Sequence, residues 1–138
     1  MTRTFEFRLH TTGRGEAIDL TEQVESALEQ SGVSHGTLVV FVPGSTGAVT
    51  TIEYESGALA DLRDAIERFA PEDIPYAHNA RWGDGNGHSH VRAAMIGPSL
   101  SIPIIEGRLA LGTWQQPILI DFDNRSRDRR LICQVIGE

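Results

Sequence analysis

The chain has 138 residues, with 12 basic side chains against 19 acidic ones for a formal net charge of −7; 40% of it is hydrophobic and 22% charged. That is one domain, long enough to bury its own core, and the composition excludes disordered, collagenous and coiled-coil chains. All 12 basic residues are arginine. A lysine Schiff base and a Walker-type phosphate lysine are therefore excluded, and the acidic balance runs against a nucleic-acid footprint.

The start, Met1-Thr2-Arg3-Thr4-Phe5-Glu6, has no signal-peptide core, and no apolar stretch of about 18 residues follows. A cytoplasmic protein with no membrane partner is expected. Residues 4–11 alternate, with Phe5, Phe7 and Leu9 against Glu6, Arg8 and His10, which predicts a half-buried strand. Asp19 or Thr21 caps a helix over residues 22–30, where Leu20, Val24, Ala27 and Leu28 share a face, and Gly32 stops it. Residues 36–42 are apolar and β-branched, and residues 48–55 have period two across the break Pro43-Gly44-Ser45-Thr46-Gly47. These predict two central strands. Residues 57–70 carry Leu59, Leu62, Ile66 and Phe69 at helical spacing until Pro71 ends the run.

Residues 71–90, rich in Pro, Asn, Gly, Asp and His, read as a single long loop, far beyond the usual span of about 4 to 6 residues. A short helix over 90–96 follows, then strands over 100–105, 108–111, 117–122 and 130–136 joined by tight turns. The lone Cys133 lies inside the last of these as a small core hydrophobe. Strands arriving in succession pair antiparallel, so the expected class is α+β: a mostly antiparallel β-sandwich with two to three helices in one domain, residues 1–138.

Chemistry-bearing residues gather in the predicted loop, where His78, Asp84, Asn86, His88 and His90 include three of the five histidines. Two imidazoles and a carboxylate suit a transition metal, and loop histidines equally serve turn backbones. His88 and His90 face one way on an extended backbone and diverge by roughly 200° on a helix. Glu53 and Glu55, two apart on a predicted strand, share a face that meets either solvent or a cation. Gly44-Ser45-Thr46-Gly47 offers backbone amides and two hydroxyls to an oxyanion, or is a plain bend. Arg125, Arg127, Arg129 and Arg130 mix with Asp121, Asp123 and Asp128 in what reads as a solvated hairpin connection, although an arginine fork also fits phosphate. Trp114-Gln115-Gln116 either edges the core or lines a pocket.

Phe41-Val42-Pro43-Gly44-Ser45-Thr46-Gly47-Ala48, Thr51-Ile52-Glu53, Tyr76-Ala77-His78-Asn79, Gly85-Asn86-Gly87-His88-Ser89-His90, Gly107-Arg108-Leu109 and Leu111-Gly112-Thr113-Trp114-Gln115, in that order and across nearly the whole chain, resemble the YjbQ-type family. Its members are also called secondary thiamine-phosphate synthase-like proteins. The resemblance implies an α+β sandwich assembled as a homotrimer with clefts between subunits. It also implies a cytoplasmic protein acting on small phosphorylated heterocycles. Where many relatives carry His-Thr-Ser/Thr-Ala, this chain has Gly44-Ser45-Thr46-Gly47, so one histidine of the broader pattern is absent.

The implied reaction joins hydroxymethylpyrimidine diphosphate to thiazole phosphate and releases diphosphate. Glu53, His78 and His90 are the implied catalytic residues; Ser45, Thr46, Asn86, Trp114, Gln115, Arg129 and Arg130 are implied to hold substrate. A divalent metal, Mg or Zn, is implied on His78, Asp84, His88 and His90, with Glu53 and Asn86 contributing through water to Mg²⁺. A metal-dependent hydrolase using His78, His88 and His90, and a non-catalytic binder of an anionic metabolite, are the competing readings.

Overall fold

In the computed structural model, which describes residues 1–138, the N-terminal alternation becomes β1 (Thr2–Thr11). β2 (Glu16–Asp19) and α1 (Thr21–Ser31) follow, and Gly32 ends the helix in a left-handed conformation, its N–H on Glu29 O. Leu20 takes the position before the helix, while Asp19 Oδ1 accepts from the Thr21 amide at 2.9 Å. Next come β3 (Gly36–Phe41), β4 (Gly47–Ile52) and α2 (Ser56–Phe69), then α3 (Ala77–Trp82) and α4 (Gly87–Ile96). The chain closes with β5 (Ser99–Ile105), β6 (Arg108–Leu109), β7 (Gln116–Asp121) and β8 (Arg127–Gly137). No helix is long and apolar enough to cross a membrane.

Every strand pairing is antiparallel, in a five-stranded sheet of order β1-β8-β3-β5-β6 and a three-stranded sheet of order β2-β7-β4. The α+β sandwich expected from the sequence is present. Its main core lies between the sheets, where Leu38, Val40, Ile102, Leu131 and Val135 meet Val49 and Leu119 and the α1 residues Val24, Ala27 and Leu28. A smaller core lies on the outer face of the small sheet, where Ala48, Ile118, Ile120 and Phe122 pack under Ile66 of α2 and Ala93 of α4. The small sheet is therefore covered on both faces, which is why β7 reads as a continuous apolar run rather than an alternating one.

Four expectations are corrected. Only β3 is central; β4 is an edge strand, and β7 holds the middle of the small sheet. β4 stops at Ile52, so Glu53 and Glu55 do not share a strand face. Glu55 instead precedes α2 and accepts from the Gly57 amide at 2.9 Å and from the Ala58 amide. Residues 71–90 are not one loop, because α3 and the start of α4 lie within them, and the helices number four. Gly, Asn and His are poor helix formers, but packing of α4 on β4 and β7 outweighs propensity. β2 escaped detection because four residues, two of them acidic, carry no periodic signal; its existence depends on pairing with β7.

Candidate functional site

The charged run near the C-terminus is corrected as well. The mixed arginine and aspartate run at residues 121–130 is not a solvated turn: Asp121 is 0% exposed, Asp123 1% and Arg129 7%. Arg129 falls on the inward side of β8 with Leu131, Cys133 and Val135, and Asp121 falls on the inward side of β7 with Leu119. The two meet at one end of the sandwich. Arg129 donates through Nε to Asp121 Oδ2 at 2.6 Å and through Nη2 to Asp121 Oδ1 at 2.8 Å. Thr11 Oγ1 donates to Asp121 at 2.5 Å, and the Asp123 amide donates at 3.0 Å. Burial pushes the Asp121 carboxyl upward, but the donors and the guanidinium charge outweigh it and hold it below the ordinary aspartate range. Asp123 is lowered in the same way: burial opposes, and Thr46, Asn86 and Arg127 prevail.

Arg129 of this pair lines a cleft of about 450 Å³, polar throughout apart from the Pro43 ring, that takes in Ser45, Thr46, Asp84, Asn86, His90, Asp123 and Arg127 to Arg130. Several of its residues are already engaged. Thr46 Oγ1 donates to Asp123 at 3.0 Å and accepts from Arg129 Nη2 at 2.6 Å. Buried Asn86 accepts the Asn124 amide at 3.2 Å, tying the start of α4 to the β7–β8 connection. Arg130 pairs with Glu6, and Asp128 with His10 at 3.0 Å. Gly44 has φ +131, and a Cβ there would stand 2.8 Å from Arg129 Nη1, so glycine is required both by the turn and by the guanidinium beneath it.

His90 is oriented by Ser45. Its Nδ1 donates to the Ser45 carbonyl at 3.2 Å, which leaves Nε2 without a protein partner at the cleft. The His78 ring lies 4.4 Å from the His90 ring, centroid to centroid, and its Nδ1 is 3.2 Å from Asp84 Oδ1, though off the hydrogen-bonding direction. His88 points elsewhere, because α4 is a helix and two residues of helix turn it to the opposite face. It is buried near Tyr76, burial holds its imidazole below the ordinary histidine range, and its Nδ1 has no partner.

Of the four implied metal ligands, His78, Asp84 and His90 lie near one another and His88 faces away; no three His, Cys, Asp or Glu side chains converge as a metal-binding set. Zinc, which takes three or four protein donors, does not fit this donor arrangement. Mg²⁺ keeps most of its waters and needs one or two carboxylates beside substrate phosphates, which the half-exposed Asp84 is placed to offer.

Glu53, Trp114 and Gln115 lie at the opposite end of the small sheet. β4 and β7 run antiparallel, with Gly47 opposite Asp121 and Ile52 opposite Gln116. Six residues of strand separate the polar cleft from Glu53 by roughly 20 Å. At that far end a shallow pocket brings Glu53 together with Asp19, Tyr54 and Trp114, a residue 72% exposed. Gln115 is occupied in bracing the turn, accepting the Gly112 amide at 3.0 Å and donating to Thr51 at 3.2 Å.

A family model described as UPF0047 protein YjbQ-like matches residues 5–138. The chain belongs to the YjbQ-like UPF0047 family. A UPF0047 protein of Methanothermobacter thermautotrophicus is 41% identical over 135 residues, 98% of this chain and 92% of that one. A hypothetical protein from Aeropyrum pernix superposes with a TM-score of 0.91 at 35% identity over 99% of each chain. A YbjQ-like protein of unknown function from Sulfolobus solfataricus gives 0.90 at 30% identity over the whole of both.

Asp121, Asp123 and Thr11 belong to the buried network behind the cleft, whereas the sequence placed the two aspartates in a solvated connection and gave no sign of Thr11. A signal was available: Asp121 and Asp123 interrupt the apolar run Ile118-Leu119-Ile120-Asp121-Phe122-Asp123, and an aspartate at an inward strand position requires a buried partner.

Proposed function

We propose that the chain is a cytoplasmic, homotrimeric enzyme that joins hydroxymethylpyrimidine diphosphate to thiazole phosphate. The observation that carries this reading is the polar cleft, in which Arg127 and the Nη1 side of Arg129 stand beside a His90 whose Nε2 is free. In a chain without lysine, guanidinium groups and amides are the available anion partners, and they match phosphate oxygens bidentately. The thiazole nitrogen attacks the pyrimidine methylene carbon, a C–N bond forms, the C–O bond breaks, and its electron pair leaves with diphosphate.

Arginine stabilises the charge that develops on the departing group, Ser45 Oγ donates to a phosphate oxygen, and protonated His90 Nε2 gives its proton to the same leaving group. A divalent cation enters as part of the diphosphate substrate, beside Asp84. Trp114, exposed and aromatic, is the platform for a heterocycle. Since one chain holds Trp114 and the cleft at opposite ends of β4, the composite site takes Glu53 and Trp114 from one subunit and the cleft from its neighbour.

The test is product formation from the two substrates with Mg²⁺, in the wild-type protein and in His90→Gln and Trp114→Ala variants. His90→Gln is expected to lower kcat by about a hundredfold or more. Co-expression of the two inactive variants is expected to restore part of the activity, because mixed trimers hold some sites with both residues intact. No product with any divalent ion, together with thermal stabilisation by either substrate, would instead make the chain a binding protein for phosphorylated metabolites.

A further inference from the structure

A second cavity, of about 420 Å³, lies on the face of the small sheet that looks away from the polar cleft, between that sheet and α2. Alternation at the end of β7 separates the two: Ile120 and Phe122 turn toward this cavity, while Asp123 lines the cleft and Asp121 is buried against Arg129. The space exists because α2 seats only Ile66 fully, leaving Leu59 and Leu62 half-buried above the sheet. Protein interiors pack to crystal-like density, and an apolar floor left open to water forfeits both dispersion contacts and burial. The volume falls within the range of small-molecule sites.

The rim is cationic. Arg14 and Arg63 are exposed and in no ion pair, whereas the guanidinium of Arg92 is spent on Glu67 at 2.5 Å and on the Ala70 carbonyl at 2.9 Å. The one lining carboxylate, Glu16, accepts the Thr12 amide at 2.9 Å. With Arg92 neutralised by Glu67, two arginines against one glutamate leave a single positive charge over an apolar floor, in a chain whose net charge is −7. Arg14 also sits at φ +58, between Gly13 at +74 and Gly15 at +83. Its N–H donates to the Asp123 carbonyl at 2.7 Å, and the Gly15 N–H donates to the Asp121 carbonyl at 2.7 Å. Those backbone bonds need no side chain, and the left-handed conformation suits glycine better than arginine. What arginine adds at this turn is a guanidinium on a residue that lines the cavity.

We propose that this cavity binds a small organic monoanion: a carboxylate, held by Arg14 and Arg63, on a flat or branched apolar body that covers Leu62, Ile66 and Phe122. A phosphate dianion is disfavoured because the rim compensates one charge and Glu16 repels the second. This site is independent of the reaction proposed above and shares no lining residue with it.

The test titrates the full chain with benzoate, phenylbutyrate and decanoate, and with phenylbutanol and inorganic phosphate as controls, followed by amide NMR and calorimetry. At least one carboxylate is expected to shift amides at residues 13–17, 59–66 and 120–122, with phenylbutanol about tenfold weaker than phenylbutyrate and phosphate leaving these amides unmoved. Arg14→Gly relaxes the turn while removing the charge, so it is expected to weaken carboxylate binding about tenfold without lowering Tm. Leu62→Trp fills the cavity and is expected to abolish binding. The inference is overturned if no carboxylate moves these amides at millimolar concentration, if the alcohol binds as tightly as the acid, or if Arg14→Gly binds undiminished.

Discussion

Replacing Asp121 by Asn tests whether the cleft is held open by a buried ion pair. The substitution preserves shape but removes the charge facing Arg129, whose side chain is 8% exposed against 0% for Asp121. It also places an amide NH₂ where one of two oxygens receives Arg129 Nε or Nη2, so at least one of the bonds at 2.6 and 2.8 Å is lost. Removing one partner of a buried pair costs about 3–5 kcal/mol, because the remaining charge stays buried and uncompensated. For a chain of this size that is a fall in Tm of roughly 12–20 °C, at about 4 °C per kcal/mol.

Urea unfolding followed by circular dichroism at pH 7 reads the loss directly. The pH dependence supplies an independent check. Asp121 is lowered in the folded state, so its stabilisation is present above the ordinary aspartate value of 3.8 and disappears as pH falls through the folded value. The gap between wild type and Asp121→Asn is therefore expected to be constant from neutral pH down to about pH 5 and to shrink below pH 4. The double substitution Asp121→Leu with Arg129→Met removes both charges and is expected to be less destabilised than Asp121→Asn alone. A loss under 1 kcal/mol for Asp121→Asn, or a double variant worse than the sum of the singles, would refute the assignment.

Gly36→Ala would place a Cβ 2.0 Å from the Ile136 carbonyl oxygen and 2.8 Å from Gly137 Cα, both backbone atoms of β8. The β3–β8 pairing must then separate, at a cost of about 2–3 kcal/mol in urea unfolding. Cys133 is fully buried and its thiol is pushed up to about 11, so a chromogenic disulfide is expected to leave it unmodified at pH 8 until denaturant is added. His88 is held below the ordinary histidine value of 6.5 chiefly by burial, so the unfolded chain takes up the proton first. Stability is expected to fall as pH drops through 6.5 toward 5 by thermal melts, and His88→Phe is expected to flatten that slope.

Much of the fold was legible because periodicity is a local property. The alternation of Phe5, Phe7 and Leu9, the stripe of Val24, Ala27 and Leu28, and the apolar runs of β3, β5, β7 and β8 all state which face is buried, whatever the partner. The same applies to the stop at Gly32. Two departures came from propensity being outweighed by contact: α4 forms through a run of Gly, His and Ser because its inner side packs on the small sheet, and β2 forms because β7 offers an edge. β4 ends before Glu53 because its partner β7 begins at Gln116, and pairing, not pattern, ends a strand.

By itself the sequence determined the α+β class, the family, and the list of chemically able residues, since residue identity, order and period require no third dimension. Tertiary structure alone decided how those residues divide. Strand register sends Ser45 and Thr46 to one end of β4 and Glu53 to the other, helical pitch turns His88 away from His90, and parity along β8 carries Arg129 inward and Arg130 outward. Each of these is a question of which side of an element a residue faces, and a change of one residue in register or one element in type reverses the answer. The absence of lysine excluded chemistries at the outset. The fold then distributed the arginines, burying Arg129 as a strut, leaving Arg127 at the polar cleft, and setting Arg14 and Arg63 over a separate apolar cavity.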